Sequence, residues 1–269
     1  MTGRFDRFLG VDFSAAKDAG DRIWIAMATP RDSRLAVAEL IRARDLPGGG
    51  RRLETALTAL RRFLGSQDRA LVGLDFPFSL PAPLIDEADW PAFALGFDRR
   101  YPDPDAFRDA CRRRAGGREW RRRTDREALT PFAAYNLRLY RQTYWGIAAV
   151  LAPLVRAGRV AIAPMHRPPG ASTVLAEICP ASTLKRLGCY GGYKGIGAAP
   201  TAARIKILVR LLAEGLVCGE NHADTARADS GGDALDAMIA CLAAWRVAED
   251  STLLRPRDRL DAIEARVWF

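Results

Sequence analysis

Two apolar runs end alike, Gly10-Val11-Asp12 and Gly73-Leu74-Asp75, each a strand-like stretch closed by an aspartate. In an open α/β sheet, ligands bind beyond the carboxyl ends of the strands. Parallel neighbours lie only about 4.8 Å apart, so carboxylates ending two such strands converge on one point. Taken singly, an aspartate after a strand is also a common turn former. Glu177 interrupts the apolar run VLAEICP, where a charge is costly to bury unless something binds it. The alternative for Glu177 is an edge strand with one wet face. Asp233 and Asp236 stand three apart at the head of DALDAMIACLAAWRVAE and project from one face of a helix, spaced to hold one cation together. Acids in a first helical turn also cap backbone amides and favour the positive end of the dipole. Capping does not explain why five acids from four segments fall on elements that the topology gathers.

Other reactive types are sparse. Lys17, five residues beyond Asp12, and Lys194 in the glycine-rich run GCYGGYKGIGAAP are candidates to neutralise a phosphate, with surface solvation the alternative for each. That run lacks the Gly-Lys-Ser/Thr ending of a Walker A loop. Neither His166 nor His222 has a partner at metal-ligand spacing, which argues against structural zinc. His222, eleven residues before Asp233, is a weak candidate base. Ser14 has no evident histidine to activate it and reads as a turn hydroxyl.

The elements that must position the acids follow from periodicity. Between Arg7 and Ala43, the runs RFLGVDF, RIWIAMA and RLAVAELIRA, parted by turn-like KDAGD and TPRDS, predict a three-stranded antiparallel meander. Leu53, Leu57, Leu60 and Leu64 recur at helical spacing, and ALVGLDF follows as a strand stopped by Pro77. A helical crossover makes that fourth strand parallel to its neighbour. From about 77 to 131 the chain changes character, with prolines, exposed-looking aromatics and many arginines, and reads as an insertion. A helical pattern over 132–158, a strand at STVLAEICP, a helix at TAARIKILVRLLAEGL and the closing helix complete one domain over 1–269.

Composition bounds the rest. The 269 residues are 49% hydrophobic and 27% charged, as in folded globular proteins. The longest uncharged stretch, Gln142 to Val155, has 14 residues, short of the roughly 20 that span a bilayer. Asp6 and Arg7 stand where an export signal needs apolar residues. Five irregularly spaced cysteines read as reduced thiols of a cytoplasmic protein. The net charge is +9, and Arg99 to Arg126 carries eleven arginines against five acids. Such a stripe is either the footprint of a polyanion-binding surface or a solvated helical face.

The runs GVDFSAAKD, LDFPFSLP, AEICPASTLKRLG, YKGIGAAPTAARIKILVRLL, GDALDAMIACLAAW and EARVWF, in that order, resemble the family of domain of unknown function 429. Members of that family are predicted nucleases of RNase H-like fold. The first-strand aspartate and the pair on the last helix are also similar to the metal-binding pattern of Holliday-junction resolvases. The chain departs from the family at Ala265, where a glycine is expected after the glutamate. The resemblance implies a mixed sheet of antiparallel meander and parallel strands flanked by helices, with a helical arginine-rich insertion. It also implies a cation site of Asp12, Asp75, Asp233 and Asp236 with Glu177 as a fifth member, and DNA or RNA as partner. Charge makes a cation necessary, since unit charges about 5 Å apart repel by around 3 kcal/mol at an effective dielectric of 20. Oxygen-only ligands suit Mg2+ or Mn2+, and two ions about 4 Å apart serve in-line phosphodiester hydrolysis. The rival readings are a phosphotransferase of the actin and sugar-kinase type and a binding module without turnover.

Overall fold

In the computed structural model, which describes residues 5–269, the predicted meander is present as β1 (Arg7–Asp12), β2 (Trp24–Arg31) and β3 (Arg34–Arg42). A crossover helix, Leu53–Gly65, buries Leu57, Leu60 and Leu64 and delivers β4 (Ala70–Asp75) parallel to β1. Strands β5 (Val160–Ile162), β6 (Thr173–Ile178), β7 (Leu216–Val217) and β8 (Val267–Trp268) complete an eight-stranded sheet. Its order is β5-β6-β4-β1-β2-β3-β7, with β8 beside β6. This mixed sheet flanked by helices is consistent with an RNase H-like arrangement.

Side chains alternate between faces along each strand, so the sheet separates two cores. Leu9, Val11, Ile25, Val72, Leu74 and Leu175 face the crossover helix and the insertion. Phe8, Ala26, Leu71, Val174 and Ala176 face the helices Ala198–Ala213, Glu220–Ala228 and Asp233–Glu249. On this second face the register aligns Ala26, Gly10, Gly73 and Ala176 in a row across four strands. The alanine-rich helix Asp233–Glu249 settles into that trough. A Cβ on Gly10 would stand 2.0 Å from the Ala237 carbonyl oxygen and 2.2 Å from the Cys241 nitrogen, and one on Gly73 2.8 Å from the Ala240 oxygen. Only glycine permits so close an approach of helix to strand.

The insertion contributes the helices Trp90–Arg100, Pro104–Arg114 and Arg123–Glu127. Asp89 and Asp103 cap the first two by accepting from the Ala92 and Ala106 N–H groups, each at 2.8 Å. Its aromatics are not exposed as expected. Trp90, Phe93, Phe97 and Phe107 are buried in the first core, and Phe97 and Phe107 pack on Tyr144. Five of its eleven arginines, Arg100, Arg108, Arg114, Arg122 and Arg123, are spent on carboxylates of the same chain. The helix expected over 132–158 starts only at Tyr140 and runs through a π-helical stretch, Gly146–Leu151, to Ala157. Before it, the Asn136 side chain accepts from the Arg138 N–H (2.9 Å) and donates to Glu119, a local turn that competes with helix. Among the described residues no helix is long and apolar enough to cross a membrane, and all five cysteines are free.

Candidate carboxylate site

Pleat parity decides what each strand end presents. Asp12 and Asp75 are paired across β1 and β4 and share the face of Gly10 and Gly73, so both carboxylates point toward the helix that the glycines admit. That helix begins at the strand ends, where its first turn supplies Asp233 and Asp236. Its capping is done by another residue. Asp229 accepts from the Ala234 N–H (2.9 Å), and Gly232 enters the helix at φ +74°. Asp233 and Asp236 are thereby left facing the strand ends, and all four aspartates line one open pocket of about 640 Å³.

Asp12 and Asp236 are buried, at 8% and 3% exposure, while Asp75 and Asp233 are partly exposed. Lys194 answers them, with Nζ 2.7 Å from Asp236 Oδ2 and 3.6 Å from Asp233 Oδ1. The Tyr193 hydroxyl donates to Asp236 Oδ1 at 2.8 Å. Arg22 also lines the pocket and feels Asp233, but its guanidinium is engaged by Asp18 at 3.0 Å, so the four carboxylates are under-compensated and their protonation reflects it. Burial, then Asp236 and Asp233, push Asp12 well above the usual carboxylate range. Burial and Asp236 push Asp75 up to about 8. Burial also raises Asp233 and Asp236, with Lys194 pulling the other way. For Lys194, burial alone would favour the neutral amine, but Asp236 and Asp12 hold the ammonium above its ordinary range.

The donor set is all oxygen, under mutual repulsion, and open to solvent on one side, which fits a hard divalent cation such as Mg2+ or Mn2+. Among the described residues no three His, Cys, Asp or Glu side chains are already drawn together as a ligand shell. Lys194 stands between two of the acids instead, as the site's own counter-ion.

Glu177 departs from the expected fifth ligand. It pairs with Leu74 in the register, on the face opposite Asp75. There its carboxylate takes the Arg122 guanidinium at 2.5 and 2.8 Å and the Phe78 N–H at 2.8 Å. The edge-strand alternative fails as well, because β6 is flanked on both sides and buried throughout. Burial raises Glu177, with Arg122 opposing. It lines the pocket wall, but its oxygens are committed.

Residues 10–260 match the family model described as protein of unknown function (DUF429). The chain belongs to the DUF429 family. No curated protein and no solved structure matches it.

In this DUF429 chain the C-terminal departure gains a structural meaning. Ala265 adopts φ +68° with extended ψ, a region native to glycine. The position connects to the pocket wall through its neighbour. The preceding Glu264 carbonyl accepts from Arg122 Nη1 at 3.1 Å, and Arg122 carries Glu177. Of the secondary candidates, Lys17 is exposed and outside the pocket, and neither His166 nor His222 lines it. Ser14 does line it, with Oγ accepting from the Ala16 N–H at 3.3 Å, the turn role expected.

Sequence reasoning missed the scaffold of Lys194. Buried Arg204 holds the glycine-rich loop by donating to the Tyr193 carbonyl (2.7 Å) and the Gly195 carbonyl (3.0 Å). Gly232 makes room, since a Cβ there would meet the Tyr193 ring at 2.8 Å. An arginine in the apolar face of TAARIKILVRLL was the available signal.

Proposed function

We propose that this protein is a metal-dependent phosphodiesterase acting on DNA or RNA in the cytoplasm, with Asp12, Asp75, Asp233 and Asp236 as its metal-binding and catalytic acids. The observation that carries the reading is the gathering of four aspartates from two parallel strand ends and one helix start around a single pocket, with too little positive charge to balance them. Mg2+ or Mn2+ bound by them would supply an activated water and stabilise the leaving oxygen.

The chain's own residues do the rest. Asp12 and Asp75 are fixed by the sheet register, and Asp233 and Asp236 by a helix held down on Gly10 and Gly73. Tyr193 orients Asp236 through its hydroxyl. Lys194, released from Asp236 when the acids are otherwise neutralised, offers its ammonium to a phosphate oxygen as negative charge builds there. Glu177 acts as a positioning residue, locking the pocket wall through Arg122. The five free thiols support a reducing compartment.

The test is hydrolysis of end-labelled DNA and RNA in Mn2+. Cleavage is expected, abolished by chelation and lowered at least about 100-fold in Asp12→Asn, the scale of losing a positioned electrostatic group. Absence of cleavage by the unaltered protein, or full cleavage by a folded Asp12→Asn, overturns the reading.

A further inference from the structure

The mouth of the acid pocket is built differently from its floor. Two aromatic rings, Phe132 and Tyr190, line it, and each carries a cation over its face. The Arg138 guanidinium stands 5.4 Å from the Phe132 centroid and the Lys185 ammonium 5.1 Å from that of Tyr190. Tyr190 is 50% exposed, an unusual degree for a large ring beside a buried charged site. Lys185 also donates to the Leu129 carbonyl at 2.6 Å, which ties the Tyr190 lip to the loop bearing Phe132. Leu129 and Leu137 on that loop expose 64% and 62% of their surface.

We infer that the pocket takes a single unpaired strand of nucleic acid, with bases stacked on Tyr190 and Phe132 and flanking phosphates met by Lys185 and Arg138. The inference rests on the phosphodiesterase reading and specifies its substrate. The physical argument for a single strand over a duplex is stacking, because an unpaired base has faces free to meet an aromatic ring, whereas in a duplex those faces are taken by the neighbouring base pairs. Aromatic faces interleaved with cations are the means by which proteins hold unpaired strands without regard to sequence. Duplex readers instead present a helix or ribbon to a groove, whereas the aromatic lip of this pocket is loop, with Phe132, Arg138 and Tyr190 all outside the helices and strands.

The experiment reads binding apart from cleavage. Fluorescein-labelled oligothymidine, oligouridine and the duplexes of matching sequence are titrated with Asp12→Asn protein in EDTA at low salt, followed by anisotropy. The unpaired oligomer of one or both sugars is expected to bind at least about tenfold tighter than its duplex. Tyr190→Ala and Phe132→Ala are each expected to weaken that binding about 5- to 150-fold, the range for one base–aromatic stack, with Tyr190→Phe within about twofold of the parent. Duplex binding as tight as single-strand binding, or no loss in the folded Tyr190→Ala and Phe132→Ala proteins, overturns the inference. The two readings fail separately. Mn2+-dependent cleavage confined to duplex keeps the hydrolase and removes the strand pocket. Stacking-dependent strand binding with no cleavage by unaltered protein keeps the pocket and removes the hydrolase.

Discussion

Asp75 is the acid through which the site reports on itself. Its carboxyl is raised from 3.8 to about 8, so between those values the folded protein holds a proton that the unfolded chain has released. Stability then falls as pH rises through that window, by at most about 1.4 kcal/mol per pH unit for one group. Asp12, Asp233 and Asp236 are raised too and act with the same sign. Urea unfolding in EDTA at several pH values between 5 and 8 is expected to show a declining midpoint, with a shallower decline in Asp75→Asn. A flat profile in the unaltered protein would mean that the acids do not share one field. Added Mn2+ should restore most stability at the alkaline end, where the carboxylates are ionised and a ligand of the folded state stabilises in proportion to its occupancy. These residues were legible in the sequence because each sits where an element starts or stops. Tyr193 was not, because its contact with Asp236 spans 43 residues and follows no local pattern.

At the scale of elements, the site depends on how far one helix sinks onto one sheet. The helix Asp233–Glu249 and strands β1 and β4 could be drawn from periodicity, as could the parallel pairing that a helical crossover imposes. The depth of contact could not, because it follows from the alignment of Gly10 with Gly73, and alignment is a property of the register. The same blindness misassigned Glu177, since a strand read alone shows a buried acid without showing its face. Gly10→Ala drives a methyl into the backbone of Ala237 and Cys241, which cannot move without lifting the helix. Gly73→Ala meets the Ile178 side chain at 2.6 Å and the helix backbone only at 2.8 Å, at the Ala240 oxygen, a shallower intrusion than the 2.0 and 2.2 Å at Gly10. Gly10→Ala is therefore expected to cost about 3 kcal/mol, the upper part of the overpacking range, and Gly73→Ala less. Urea midpoints check the order, and the Mn2+-induced shift should shrink in step, because the lifted turn carries Asp233 and Asp236 away from Asp12.

Across the whole molecule, one buried arginine joins what the sequence presented as separate parts. Arg122 comes from the insertion, yet it binds Asp125 beside it, Glu177 on β6 and the Glu264 carbonyl near the C-terminus. Its neighbour Arg123 pairs with Asp258 (2.6 Å) and Asp261 (2.5 Å) of the closing segment. Part of the arginine stripe is thus an internal fastening: Arg100, Arg108 and Arg114 pair with carboxylates inside the insertion, while Arg122 and Arg123 also reach partners 55 to 142 residues away, which charge counting could not tell from a polyanion surface. A buried pair gives little net stability once desolvation is counted, but removing one partner strands the other. Arg122→Met should leave Glu177 and Asp125 unpaired in the interior and cost about 3–5 kcal/mol. Adding Glu177→Gln to it removes one stranded charge and should return part of that loss, a positive coupling that additive, independent sites would not show. Calorimetric midpoints of the two single variants and the double variant complete the cycle. If Arg122→Met unfolds at the parental temperature, the insertion is fastened by its aromatic core alone, and the pocket wall it shares with the four aspartates owes nothing to this arginine.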